Sequence, residues 1–276
     1  MELLRSHPYG VKPIGNQPFA KNTNYGKREP GLGNASSLKD PIWLTEICPC
    51  FDAASLSQLS ACSKFLYAFC HYDDFWKNLV LSSASGSCSS DDCTSTGAPS
   101  FNFSNSWKET FTGQPHTPIN VHVYSDVLYQ PFWCSALKIP KEWTQVETVP
   151  RESIHSLSVD QFVQKYESIN KPVILTGCQH HPGSIDAYTN WDRDYLVRTA
   201  DHNTTFNAAG YSLSLSSYLQ YSDQQMDDCP LYLFDKKFID NTPQFGHDYE
   251  PLPYFNTERD LFHLLTDTGY RPDYRW

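Results

Sequence analysis

The sequence predicts an α+β protein, with helices first and strands accumulating toward the C-terminus. Three observations carry that prediction. Apolar residues recur at helical spacing between residues 40 and 81, a Val173-Ile174-Leu175 run follows Pro172, and PLYLFD alternates near the end. At 276 residues the chain is long enough for two modest domains, and its 39% hydrophobic and 14% aromatic content marks it as globular. A formal net charge of -10 gives no general attraction to a phosphate backbone, which argues against sequence-independent nucleic-acid binding. Nine cysteines without the spacing of a disulfide framework, and an opening MELLRSHPYG with no apolar core, point to an intracellular setting in the nucleus or cytoplasm. The sequons at Asn34, Asn102 and Asn203 then read as chance matches, and no run approaches the roughly 18 apolar residues needed to cross a membrane.

Residues 1–39 are rich in Gly, Pro, Asn and Lys without a sustained apolar period, and read as a flexible leader. From 40 to 81 three short helices are expected. Asp40 is positioned to cap a helix beginning at Pro41, and Asp52 to cap a second whose stripe is Leu56, Leu59, Ala61, Cys62, Phe65, Leu66 and Phe69. Asp73 would open the third, which carries Phe75, Trp76 and Leu79. Residues 82–100, rich in Ser, Gly and Asp, read as a loop, and 101–138 as a connecting segment with a strand that puts Val121 and Val123 on one side. Beyond a boundary near residue 140, Ser158 to Gln161 match a capping box before Phe162, Val163 and Tyr166. A further helix is expected from Asn190, and in PLYLFD Tyr232 and Phe234 share one face.

No residue earns a catalytic or metal-binding assignment from its pattern. His71-Tyr72-Asp73 has the H-x-D spacing of two ligands of a facial iron triad, but it bridges two short helices instead of sitting on stiff strands, and reads as structural. Cys48, Cys50, Cys62 and Cys70 are interspersed with the apolar stripe, and Cys88 with Cys93 has no matching pair, so neither set reads as a zinc site. His180 and His181 before Pro182-Gly183 read as a surface turn. No Gly-rich phosphate loop, nucleophile elbow or H-E-x-x-H occurs.

Residues 40–81 resemble an F-box through Trp43, Leu44, Glu46, Ile47, Asp52, Leu56, Leu59, Ser63, Phe75, Trp76, Lys77 and Leu79, although Lys39-Asp40 stands where that motif usually has Leu-Pro. The resemblance implies a three-helix module that docks onto the Skp-type adaptor of a cullin-RING ubiquitin ligase through Trp43, Leu44, Ile47, Leu56, Leu59 and Trp76. From 139 to 276, LSVDQFVQKYESINKPVILTG, YSLSLSSYLQY, DDCPLYLFD and YRPDYRW together resemble the N-terminal part of a Jumonji-C (JmjC) oxygenase of the phosphatidylserine-receptor-like lysyl-hydroxylase and arginine-demethylase branch. That likeness implies a double-stranded β-helix of the cupin or jelly-roll type with flanking helices, and Fe(II) and 2-oxoglutarate in a complete member. The family's iron and 2-oxoglutarate ligands follow the equivalent of Tyr274-Arg275-Trp276, so the chain is expected to lack the metal site and to bind no cofactor itself. Tyr232 and Phe234 alone correspond to residues lining the co-substrate pocket. Three functional expectations result: a truncated relative of JmjC protein hydroxylases and demethylases, inactive by itself; a non-enzymatic F-box adaptor; or an interaction module of unknown target. A sheet cut short in this way is expected to leave the region after residue 140 poorly folded.

Overall fold

The computed structural model describes residues 7–20, 27–84, 101–182 and 185–255. In chain order its main elements are β1 (Val11–Gly15), α1 (Ala53–Ser60), α2 (Lys64–Cys70), α3 (Asp73–Ala84), α4 (Trp107–Thr112), β2 (Val121–Tyr124), α5 (Tyr129–Ala136), β3 (Arg151–Ser153), α6 (Val159–Phe162), β4 (Ile174–Thr176), α7 (Ile185–Asn190), α8 (Arg193–Thr199), β5 (Thr205–Ala208), β6 (Tyr211–Ser214) and α9 (Leu215–Gln224). This mixture of helices and strands is the α+β content that the sequence predicts. The chain divides into two compact units, one from Met1–Ile139 with Thr205–Phe234, the other from Pro140–Thr204 with Asp235–Trp276. That corrects the reading of 139–276 as one continuous region, because β5, β6 and α9 fold with the first unit.

In the first unit, local hydrogen bonding sets where each helix begins. The Asp52 carboxylate accepts the Ser55 N–H at 2.8 Å and starts α1. The expected continuous helix through Phe69 is broken after Ser60, because the Ser63 hydroxyl accepts the Leu66 N–H at 3.3 Å and starts α2 afresh. Ala61 and Cys62 are consequently exposed, while Phe65 through Cys70 are all buried. Two expected caps are corrected. Asp73 is the first residue of α3 and is buried within its opening turn. Asp40 instead holds tertiary structure: its carboxylate pairs with Arg28 at 2.7 Å and accepts the Asp126 N–H at 3.1 Å, while Ile42–Ile47 winds as a π-helical turn. α3 runs on to Ala84, into the expected loop, and the rest of that loop lies outside the described residues.

Residues 7–20 correct the flexible-leader reading. Tyr9 is fully buried, and β1 pairs in parallel with β2, with Val11 opposite Val121 and Pro13 opposite Val123. Pro13 has no N–H to give the ladder, and the register shifts between Pro13 and Gly15. Gly10 makes the approach possible: its φ is +74°, and a Cβ there would lie 2.6 Å from the Ile119 carbonyl oxygen. Val121 and Val123 share the buried face that their alternation predicts. One apolar cluster then runs from Tyr9 and Val11 through α1, α2 and α3 to Trp107, Leu213, Tyr221 and Leu231.

The second unit has a thinner core of Leu157, Tyr166 and Tyr254. Its capping box is formed: the Ser158 hydroxyl accepts the Gln161 N–H at 3.2 Å, and Gln161 Oε1 accepts the Ser158 N–H at 3.0 Å. α6 passes into a π-helical turn, Val163–Glu167, which buries Tyr166. β3 and β4 pair in parallel, Arg151 opposite Ile174. The helix expected from Asn190 is corrected to two: α7 ends there, and Asp192 caps α8 by accepting the Tyr195 N–H at 2.7 Å. Among the described residues the strands form three two-stranded sheets, and RPDYRW lies outside those residues, so the double-stranded β-helix is not displayed.

Candidate functional site

Of the six side chains the sequence assigns to adaptor docking, four face inward. Trp43, Leu44, Leu56 and Trp76 are buried in the first unit's core, and Trp76 Nε1 donates to the Cys70 carbonyl at 2.8 Å. Only Ile47 and Leu59 remain half-buried at the surface. The reason is physical: an indole at the start of a short amphipathic helix is the largest apolar group available to fill the space between α2 and α4. What the helical segment does present is an open groove of about 540 Å³, lined by Cys48, Phe51, Phe75, Asn78, Leu79 and Phe111 among others.

Behind that segment lies a buried polar cluster that the sequence does not announce. His71 Nδ1 meets the Tyr67 carbonyl at 2.7 Å, and its Nε2 meets Lys108 Nζ at 2.8 Å. An ammonium can only donate, so Nε2 accepts and the imidazole is neutral. Burial, reinforced by the Lys108 charge, lowers the His71 pKa to about 3. The Lys108 pKa is itself lowered, chiefly by burial. Tyr67 Oη donates to the Tyr9 carbonyl at 2.8 Å and accepts the Ile119 N–H at 3.2 Å. Asp227 Oδ2 accepts from Trp107 Nε1 at 2.7 Å and from Tyr221 Oη at 2.6 Å, and Tyr221 Oη accepts the Leu231 N–H at 2.8 Å. Bonded partners in this cluster lie up to 120 residues apart, so no local spacing could have revealed it.

Do these residues fit Fe(II)? They do not. Both ring nitrogens of His71 are engaged, and Asp73 is buried with its pKa raised well above the carboxylate range, first by burial and then by the nearby Asp227 and Asp228. Among the described residues no group of three His, Cys, Asp or Glu side chains could hold a metal ion. Cys48 and Cys70 are buried free thiols.

Tyr232 and Phe234, the pair read as cofactor-lining, do project to one side, each 41% exposed, while Leu231 is buried. Among the described residues their segment makes one isolated bridge, Leu233 to Ala208, and the Phe234 N–H donates to the Asn207 carbonyl at 2.9 Å. Both side chains are exposed, and neither lines the first unit's two cavities. The second unit has its own open cavity of about 720 Å³, walled by Phe162, Tyr166, Val173, Leu175, Leu252 and Phe255 among others. No described helix is long and apolar enough to cross a membrane.

No protein-family model matches the chain. The chain is 32% identical to the arginine-specific demethylase JMJ22 of Arabidopsis thaliana over 285 residues, 98% of this chain and 51% of that protein. It is 26% identical over 268 residues to the lysine-specific demethylase JMJ21 of Arabidopsis thaliana, covering 91% of this chain and 26% of that protein. A match of 138 residues, 47% of this chain and 33% of the relative, is 31% identical to the bifunctional arginine demethylase and lysyl-hydroxylase psr-1 of Caenorhabditis briggsae. The chain thus spans about half the length of JMJ22 and a smaller share of the others. In sequence, then, the chain is similar to proteins named as an arginine-specific demethylase and as a bifunctional arginine demethylase and lysyl-hydroxylase.

Proposed function

We propose that the chain serves a JmjC-type oxygenase that modifies arginine or lysine side chains of proteins, with its first unit as the folded scaffold. The observation that carries this reading is the 32% identity extending over 98% of the chain to an arginine-specific demethylase. Fe(II) and 2-oxoglutarate supply the oxidising chemistry in that family, and in this reading their ligands are residues other than those described. The test uses the protein as isolated from its cells, with Fe(II), 2-oxoglutarate and peptides carrying methylarginine or lysine. Succinate release coupled to a mass change on one peptide is expected. No mass change on either peptide at saturating co-substrate overturns the reading.

A second reading is favoured by the apolar groove on the F-box-like segment: a docking face for a Skp-type adaptor. Trp76 and Leu56 are too deeply buried to test it, since replacing them disrupts the core. Ile47→Asp and Leu79→Asp alter half-buried positions instead. Co-purification with a Skp-type adaptor should be lost in both while the unfolding midpoint is retained; undiminished recovery defeats the adaptor reading.

A further inference from the structure

Where the N-terminal segment, the start of α3, the chain before α5 and the stretch after α9 meet, the first unit encloses a cavity of about 20 Å³, lined by His7, Asp73, Leu128 and Asp228 among others. That is about the space one water molecule occupies, and far too little for an organic ligand. Asp73 is 8% exposed, and its Oδ1 accepts no hydrogen bond from any described protein group. A carboxyl oxygen buried without a donor is costly, and a lined polar cavity beside it offers the remedy.

We propose that this cavity is the binding site of one water molecule, which donates to Asp73 Oδ1 and bridges α3 to the N-terminal segment and the Asp227-Asp228 stretch. Polar partners for it are at hand: His7 lies 3.5 Å from Asp228 through Nε2 and Oδ2, and both line the cavity. A metal cation does not fit, because no described group of three suitable donors converges there and Lys77 already brings a positive charge, 2.8 Å from Asp74. The water belongs with a neutral Asp73. The titratable and charged groups around it are His7 and Tyr9 on the N-terminal segment, His71, Tyr72, Asp74 and Lys77 at α2 and α3, Lys108 on α4, Tyr221 on α9, and Asp227, Asp228 and Cys229 after it. Burial and the carboxylates of Asp227 and Asp228 raise the Asp73 pKa well above its ordinary 3.8.

The sign of the pH effect follows. Between 3.8 and the raised folded value, the folded state keeps a proton that the unfolded state has released, so this group's contribution to stability falls as pH rises through that window.

Four measurements test the proposal. Carbon-13 NMR of labelled wild-type protein should show the Asp73 carboxyl still protonated when the exposed carboxylates have ionised; titration in the ordinary range overturns it. Asp73→Asn should remove part of the downward slope of melting temperature against pH and raise the midpoint near neutrality; an unchanged slope overturns it. A high-resolution crystal structure should contain one ordered water within hydrogen-bonding distance of Asp73 Oδ1. A melting temperature that rises with added sodium or potassium in wild type but not in Asp73→Asn would make the occupant a cation, and overturns it as well.

Discussion

The two units solve the problem of burial differently. The first packs Tyr9, Trp76, Trp107 and Tyr221 at 0% exposure and gives each polar tip a partner inside the protein. In the second, three side chains form the buried cluster, while Trp143, Val146, Ile169, Tyr188 and Phe255 stand 59% to 74% exposed. Each unit holds a two-stranded parallel pair, a form that needs covered faces, but β1 and β2 bury alternate residues whereas β3 and β4 bury none. The contrast teaches where independent stability lies: in the first unit, which joins the N-terminal half of the chain to Thr205–Phe234, and far less in the second.

Mutations that break or sharpen that contrast rank by size. Trp107→Ala removes a buried indole packed at tilted and edge-on angles among Phe101, Phe103 and Tyr221 and takes away a donor to Asp227, so denaturant unfolding should show a loss of about 3–5 kcal/mol. Leu157→Ala, its counterpart in the second unit, should lose only about 2 kcal/mol, the low end for such a change, because few neighbours close around it. Equal losses would erase the contrast.

Acidification comes next. His71 titrates near 3 in the folded protein and near 6.5 unfolded, so between these values the unfolded state binds the extra proton. Stability contributed by neutral His71 is therefore lost as pH falls below about 6.5, with a slope of at most about 1.4 kcal/mol per pH unit. Asp73 acts with the opposite sign above 3.8, so the His71 share is read as the difference between wild type and His71→Gln in thermal melts across pH 4–7. Identical slopes in the two would remove His71 from the account.

Smaller effects follow. Tyr221→Phe deletes a hydroxyl that bonds both Asp227 and the Leu231 N–H, and should cost about 1–3 kcal/mol without altering the far-ultraviolet spectrum. Ser158→Ala opens the capping box of the second unit and should cost about 1 kcal/mol, read as earlier cleavage between 151 and 171 in limited proteolysis. Glu147→Gln breaks an exposed pair with Arg151 and should leave the melting temperature unmoved.

Legibility in the sequence followed range. Asp52 and Ser158 could be recognised as caps because a side chain and an N–H three residues on are all that a cap requires. Asp40 and Asp73 had the same local signature, yet a distant Arg28 claimed one and a buried acidic neighbourhood the other. The six docking residues were read from an amphipathic pattern that is shared by a helix covering its own core and a helix offered to a partner. Only burial separates the two, and it put Trp43, Leu44, Leu56 and Trp76 inside.

By itself, then, the sequence determined the α+β class, the start of α1 and α6, the buried face of β2 and a likeness to JmjC proteins, all of which rest on neighbours close in the chain or on whole-length pattern. Only the tertiary structure decided that Val11–Gly15 is a core strand, that 205–234 folds with the first unit, and that His71, Lys108, Tyr221 and Asp227 share one polar interior. The physical reason is that a buried polar group must find its partner wherever the fold brings one, and that partner is seldom a near neighbour in sequence.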